Sequence, residues 1–365
     1  MKIATLSKLA LASSLYLPSQ AAPKADFALQ AGYHVIYSYP GLDPPAHLYD
    51  LIKLGKVGGI ILFGENVSFA TDAVANIANV TQSFQDAYAQ SIGSPTTPLL
   101  IMTDQEGGIV RRLPGGPDFT AKEMGASVHP ILAAIQGGEA AAQALKAGNC
   151  NTNLAPVLDV YREEGNFIDS IGRSFGNSSW LVAECATSYL LTQQLAGSIA
   201  TAKHFPGLGA AVAGDNTDIA PVTIDLSKDD LRSIDMSPYI AAIASGIDMV
   251  MTSWALYPSI DPRYPAGMSK TIVQDELRGR LRFQGVTITD ALEAGAIAQF
   301  GDAGTRGVQA ALAGMDILLA SERNVTQGEA VYDALVAALN SRTLPQADFE
   351  QATERILNLR KKVVK

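Results

Sequence analysis

Short apolar runs rich in β-branched residues recur along the chain, and each is followed by a longer stretch with helical spacing. The runs cover 33–39, 59–63, 99–103, 153–160, 199–204, 249–254, 286–289 and 316–320. Helix-length segments lie between them, among them 71–90, 121–147, 180–196, 227–245, 269–280 and 305–313. Two more, 327–340 and 346–361, follow the last run. Hydroxyls mark helix starts at Ser227 and Ser269, and Gly246, Gly285 and Gly314 stand where helices stop.

Strands that are apolar throughout imply a parallel sheet covered on both faces. Eight strand–helix units predict an α/β fold, a single closed (β/α)8 TIM-type barrel with additional C-terminal helices, over 22–365. An open doubly wound sheet is the alternative. It would place a glycine-rich phosphate turn after its first strand, whereas the first run here leads into Tyr39-Pro40-Gly41-Leu42-Asp43-Pro44-Pro45.

The N-terminus departs from this alternation. Lys2 and Lys8 flank an apolar stretch that ends at Ser19-Gln20-Ala21-Ala22. That pattern predicts a secretory signal peptide at 1–21 and an extracellular protein. The stretch is too short to span a bilayer, and no membrane-spanning helix is expected elsewhere. Sequons at Asn66, Asn79, Asn177 and Asn324 are candidate glycosylation sites. Lys+Arg 27 against Asp+Glu 36 gives a net charge of −9, which argues against nucleic acid as a partner. Two cysteines, Cys150 and Cys185, are too few for a zinc ribbon or disulfide framework, and whether they pair stays open. With four histidines and no H-E-x-x-H, no metal site or cofactor is expected.

In such barrels chemistry gathers at the C-terminal ends of strands. The third run ends in Thr103-Asp104-Gln105-Glu106-Gly107-Gly108 and the fourth in a segment containing Asp159. The fifth ends in Lys203-His204, the sixth at Trp254 and the seventh in Thr289-Asp290. Carboxylates clustered with Lys, Arg and His suit a carbohydrate, with Trp254 as a candidate apolar platform. A Schiff-base lysine at Lys203 is a second reading.

Several segments together resemble glycoside hydrolase family 3, and within it the single-domain β-N-acetylglucosaminidase branch. They are the segment from Leu99 to Gly108 containing D-Q-E-G-G, Asn153 to Val160, Ile171-Gly172-Arg173-Ser174-Phe175-Gly176, Lys203-His204-Phe205-Pro206-Gly207, and Ile288 to Leu292. The resemblance implies a retaining β-glycosidase in which Asp290 attacks the anomeric carbon and forms a covalent glycosyl-enzyme. It also implies that Asp104, Arg112, Arg173, Lys203 and His204 hold the sugar. β-N-acetylglucosaminides are the first substrate expectation. Another terminal β-hexoside, or a catalytically impaired carbohydrate-binding relative, is the alternative.

One part of the family pattern is missing. The branch reads K-H-F-P-G-H-G and continues into a D-S-H loop whose Asp–His pair is the acid/base. Here Leu208 replaces the second histidine, and Asp215-Asn216-Thr217 stands in place of D-S-H after one extra residue. A threonine hydroxyl does not titrate near neutral pH. Three explanations stay open. A loop carboxylate, Asp215 foremost or else Asp218, is the acid; a residue such as Glu163, Glu164, Asp169 or a histidine elsewhere enters; or acid catalysis is lost.

Overall fold

The computed structural model describes residues 26–68, 71–93 and 95–364, so the expected signal peptide lies outside the described residues. Eight parallel strands close on themselves. They are β1 Val35–Tyr37, β2 Gly59–Leu62, β3 Leu100–Thr103, β4 Thr152–Asn153, β5 Ile199–Phe205, β6 Met249–Thr252, β7 Val286–Ala291 and β8 Ile317–Leu319. Each pairs with the next, and β1 meets β8 at Val35↔Leu318 and Ile36↔Leu319. The expected (β/α)8 barrel is therefore the fold.

Alternation along each strand explains the uninterrupted apolar runs. Ile36, Ile61, Leu100, Met102, Ile288 and Leu319 point inward and form one buried cluster. Their neighbours Val35, Tyr37, Ile60, Leu62, Ile101 and Leu318 point outward into the helical layer. Both faces are thus dry, as a parallel barrel requires.

The C-terminal helix Gln346–Lys361 closes the end of the barrel at which the strands begin. Its Ile356 and Leu359 join the interior cluster. Its Thr353 hydroxyl meets His34 Nε2 at 2.8 Å, just ahead of β1. Its Arg355 pairs with Asp316 at 2.7 Å, just ahead of β8. Arg360, wholly buried, reaches the Tyr88 hydroxyl and the Gly58 carbonyl.

Several expectations shift for local reasons. Tyr33 ends a helix, Phe27–Tyr33, rather than opening the first strand. The fourth run shortens to Thr152–Asn153 because Pro156 has no N–H to give, and Val157 returns only as a single bridge to Lys203. The stretch 121–147 divides into Ala121–Gly125 and Pro130–Ala147, with Pro130 opening the second helix. The helix expected over 227–245 begins as predicted, with Ser227 Oγ accepting the Asp230 N–H at 3.0 Å. It then loosens into a π-helical turn and restarts at Ser237–Ala244.

Cys150 and Cys185 are buried free thiols and do not pair. Among the described residues no helix is long and apolar enough to cross a membrane. One sequon needs correction. Asn66 is 3 % exposed, and its amide nitrogen donates to the carbonyls of Tyr39 and Gly41 at 3.0 and 2.7 Å. Its Oδ1 accepts the Phe63 N–H at 2.8 Å. A glycan on that nitrogen has no place in this fold. Asn79 and Asn177 are exposed, and Asn324 caps the helix Val325–Asn340.

Candidate active site

The loops that follow the strands enclose a cleft of about 540 Å³. Its floor is the top of the barrel interior, with Ile61, Leu154, Met251 and Leu319. Polar walls rise from the strand ends above it.

One wall starts at β5, whose residues are all buried. Lys203 Nζ lies 2.7 Å from Asp104 Oδ1 and 2.7 Å from Glu106 Oε1. Burial by itself would lower the lysine, but the Asp104 and Glu106 carboxylates outweigh it and raise its pKa. The ammonium is thus fixed, and the Schiff-base reading of Lys203 fails because that chemistry needs a neutral amine. Glu106 is also gripped by Arg173 through two bonds, at 2.9 and 2.7 Å. Burial would raise its carboxyl, yet Arg173 and Lys203 together hold it well below the usual range.

His204 completes this array. Its Nδ1 lies 2.7 Å from Asp159 Oδ2, and its Nε2 lies 3.3 Å from Arg173 Nη2. A guanidinium can only donate, so Nε2 accepts and Nδ1 carries the proton to Asp159. The other Asp159 oxygen accepts the backbone N–H groups of His204 and Leu208, at 3.2 and 2.7 Å. Gly207 follows with φ +135°, and a Cβ there would meet the Asp235 Cβ at 2.6 Å. The glycine of K-H-F-P-G is thereby explained by space as well as by backbone angle.

Gln105 shapes the neighbouring hairpin, Gln105–Gly107 with Val110–Arg111. Its Oε1 accepts the N–H groups of Arg112 and Leu113, both at 3.0 Å, and its amide donates to the Gly116 carbonyl at 2.8 Å. This holds Arg112 in the cleft wall beside Asp104.

The opposite wall belongs to β7 and β8. Asp290 lines the cleft near the end of β7, and its Oδ1 accepts the Ala291 N–H at 2.8 Å. Glu293 stands three residues on. Its carboxylate takes Ser321 Oγ at 2.8 Å, Ser321 N–H at 3.3 Å and Gln327 Nε2 at 3.1 Å. Glu322 and Arg323 form the rim, with Arg323 over the Phe63 ring at 4.7 Å.

The structure thus brings Asp104, Arg112, Arg173, Lys203, His204 and Asp290 into one cleft. It does not bring in Asp215. That residue is half-buried in a surface turn, where its Oδ2 accepts the Val212 N–H at 3.2 Å, and it does not line the cleft. Asn216, Thr217 and Asp218 line it instead. Glu163, Glu164 and Asp169 do not; Asp169 is spent on Lys122 at 2.7 Å. Trp254 is no platform either. It is 1 % exposed, and its indole N–H donates to the Ala291 carbonyl at 2.8 Å. Phe63 and Phe167, both half-buried, are the aromatic side chains that line the cleft.

Sequence reasoning passed over Glu293, Ser321 and the structural part of Glu106. Ser321 directly follows the eighth run, so the strand-end rule could have found it. Glu106 belongs to D-Q-E-G-G, but the motif alone does not reveal its ion pairs with Lys203 and Arg173.

The chain matches the model of the glycosyl hydrolase family 3 N-terminal domain over residues 33–359. It is 53 % identical over 338 residues to an uncharacterized secreted glycosyl hydrolase of Arthroderma benhamiae, covering 93 % of this chain and 94 % of that one. A family 3 β-N-acetylglucosaminidase structure from a Paenibacillus species superposes with TM-score 0.83 at 34 % identity, over 92 % of this chain and 62 % of that one. A β-N-acetylhexosaminidase from Beutenbergia cavernae superposes with TM-score 0.80 at 30 % identity, over 93 % and 99 %.

Proposed function

The chain belongs to glycosyl hydrolase family 3, and from that premise we propose that it is a retaining β-glycosidase acting through a covalent ester on Asp290. The observation that carries this reading is the facing of two walls across one cleft. Asp290 stands on one side, and the Asp104–Lys203–Glu106–Arg173–His204 array stands on the other. A fixed set of charged donors and acceptors holds sugar hydroxyls, while a carboxylate close to the anomeric carbon stabilises oxocarbenium character and then forms the ester. In this reading Asp104, Arg112, Arg173, Lys203 and His204 hold the hydroxyls of a terminal sugar, which their shared lining of the cleft supports.

Terminal β-linked N-acetylglucosamine is the substrate we favour, because the Paenibacillus and Beutenbergia relatives carry the names of N-acetylhexosamine-releasing enzymes. We also infer an extracellular protein, in keeping with the predicted signal peptide and with the secreted relative from Arthroderma. The test is intact mass after incubation with fluorinated glycosyl fluorides, including the 2-acetamido sugar. A gain of one glycosyl unit on the peptide holding Asp290 is expected, fastest with the 2-acetamido sugar. Turnover that survives Asp290→Asn sinks the mechanism.

A further inference from the structure

We propose that Asp218 is the general acid and base of this cleft, in the role that a loop imidazole would fill in the family pattern. The proposal rests on the reading of Asp290 as the nucleophile. Its first support is how the loop after β5 is fastened. The Thr217 carbonyl accepts the Ala296 N–H at 3.0 Å, and the Asp218 carbonyl accepts the Gly295 N–H at 2.9 Å. The Asn216 side chain accepts the Asp218 N–H at 2.8 Å. A Cβ on Gly295 would stand 2.0 Å from the Ile219 carbonyl oxygen, so only glycine lets the two segments approach. The loop bearing Asp218 is therefore tied to the segment that directly follows Asp290, and both carboxylates line the same cavity.

Commitment of the other acidic groups is the second support. Asp104 and Glu106 are bound to Lys203. Asp159 takes His204 and two backbone donors. Glu293 takes three donors, and Glu322 at the rim accepts the Asn324 side-chain amide at 3.0 Å. His204 Nε2 already faces a guanidinium. Among the described residues no group donates to the Asp218 carboxyl.

The electrostatics agree with this geometry. Asp218 is still open to solvent on one side, yet the cleft desolvates its carboxyl enough to raise its pKa from the ordinary value, and the Asp290 charge raises it further; Arg173 pulls the other way without cancelling this. A carboxyl that keeps its proton to higher pH than usual is what a general acid needs. In the first step Asp290 attacks the anomeric carbon and the glycosidic C–O bond breaks. Its electron pair goes to the leaving oxygen, which takes the proton from Asp218. In the second step water attacks the same carbon and gives a proton to the Asp218 carboxylate. The ester bond breaks and Asp290 is restored.

The experiment compares Asp218→Asn, Asp218→Glu, Asp215→Asn and Asp290→Asn with the parent protein. The substrates are 2,4-dinitrophenyl and methyl β-glycosides of N-acetylglucosamine and of glucose. Dinitrophenolate leaves without a proton, so Asp218→Asn should still form the glycosyl-enzyme from that substrate. It should lose about 10²- to 10⁴-fold on the methyl glycoside. Azide should restore its turnover and yield the β-glycosyl azide. Asp218→Glu should recover part of the loss, and the alkaline limb of the parent's pH profile should vanish in Asp218→Asn. Equal loss on both leaving groups overturns the proposal. So does the leaving-group pattern appearing in Asp215→Asn instead, or a parent protein that already behaves like Asp218→Asn. Turnover persisting in Asp290→Asn, or no turnover of any substrate by the parent, overturns the underlying glycosidase reading instead.

Discussion

The two ends of the barrel use the same charged chemistry for opposite purposes. At the end where strands begin, Asp316 lies wholly buried between Arg278 and Arg355, each 2.7 Å away, and also accepts the Thr287 N–H at 2.9 Å. His34 lies beside it, with Nδ1 2.6 Å from the Asp316 carbonyl and its ring stacked on Phe349 at 3.9 Å. The helix Gln346–Lys361 covers this network. At the other end Lys203, Glu106, Arg173, His204 and Asp159 form a similarly buried network, but Lys203, Arg173 and His204 border a cleft. Buried charges must be paired in either place. What differs is whether the last polar contact is supplied by the protein or left for a ligand. Buried charge alone is therefore a poor marker of function, and buried charge bordering a cavity is a better one.

Four substitutions test that contrast. Asp290→Asn should lower turnover by roughly 10⁴-fold or more while leaving the melting temperature near that of the parent; calorimetry with steady-state assays would show this. Asp316→Asn should do the reverse. Leaving two guanidiniums without their carboxylate should cost about 3–5 kcal/mol in denaturant-unfolding stability, with normal specific activity in the fraction that folds. A change in activity without a change in stability would break the comparison.

His34 gives a pH-dependent test. Burial lowers its pKa to about 4, against an ordinary value of 6.5. Between those values the unfolded chain binds more protons than the folded one, so His34 makes stability rise with pH over this window and level off above it. The full effect is roughly 3 kcal/mol. The difference between the pH–stability curves of parent and His34→Gln should show this slope. Asp235 has the opposite sign, since burial, partly offset by Arg162, raises its carboxyl to about 6. Subtracting the two curves removes that background. The smallest effect is expected at the cleft rim. Arg323 is exposed, lies over Phe63 and pairs with Glu65 at 3.4 Å. Arg323→Ala should change stability by less than about 1 kcal/mol in thermal melts.

Much of this contrast was legible in the chain before folding. The eight runs and their spacing announced the barrel, because short uninterrupted apolar runs rich in β-branched residues, alternating with longer helical stretches, are what a parallel sheet dry on both faces requires. The spacing of 346–361 predicts a helix, and the helix forms with the same bounds. Its task of sealing the barrel was not legible, since nothing local says that Ile356 and Leu359 enter the interior. Motif residues at strand ends located the cleft. Asp215 and Trp254 were misplaced for one reason: a position in the chain fixes which loop or strand end a residue occupies, not which way its side chain points.

The strand–helix order, the residues at the strand ends and the absence of the loop histidine can be read from the chain alone, since all are local or follow from the spacing of apolar runs. Folding, in contrast, locks Asn66 under backbone carbonyls and packs Trp254 behind Ala291, neither of which is visible locally. It alone put Asp218 rather than Asp215 in the cleft wall. That choice depends on hydrogen bonds between segments about eighty residues apart, Thr217 to Ala296 and Asp218 to Gly295. Such contacts form only once β5 and β7 have been brought to the same rim by the closure of the barrel.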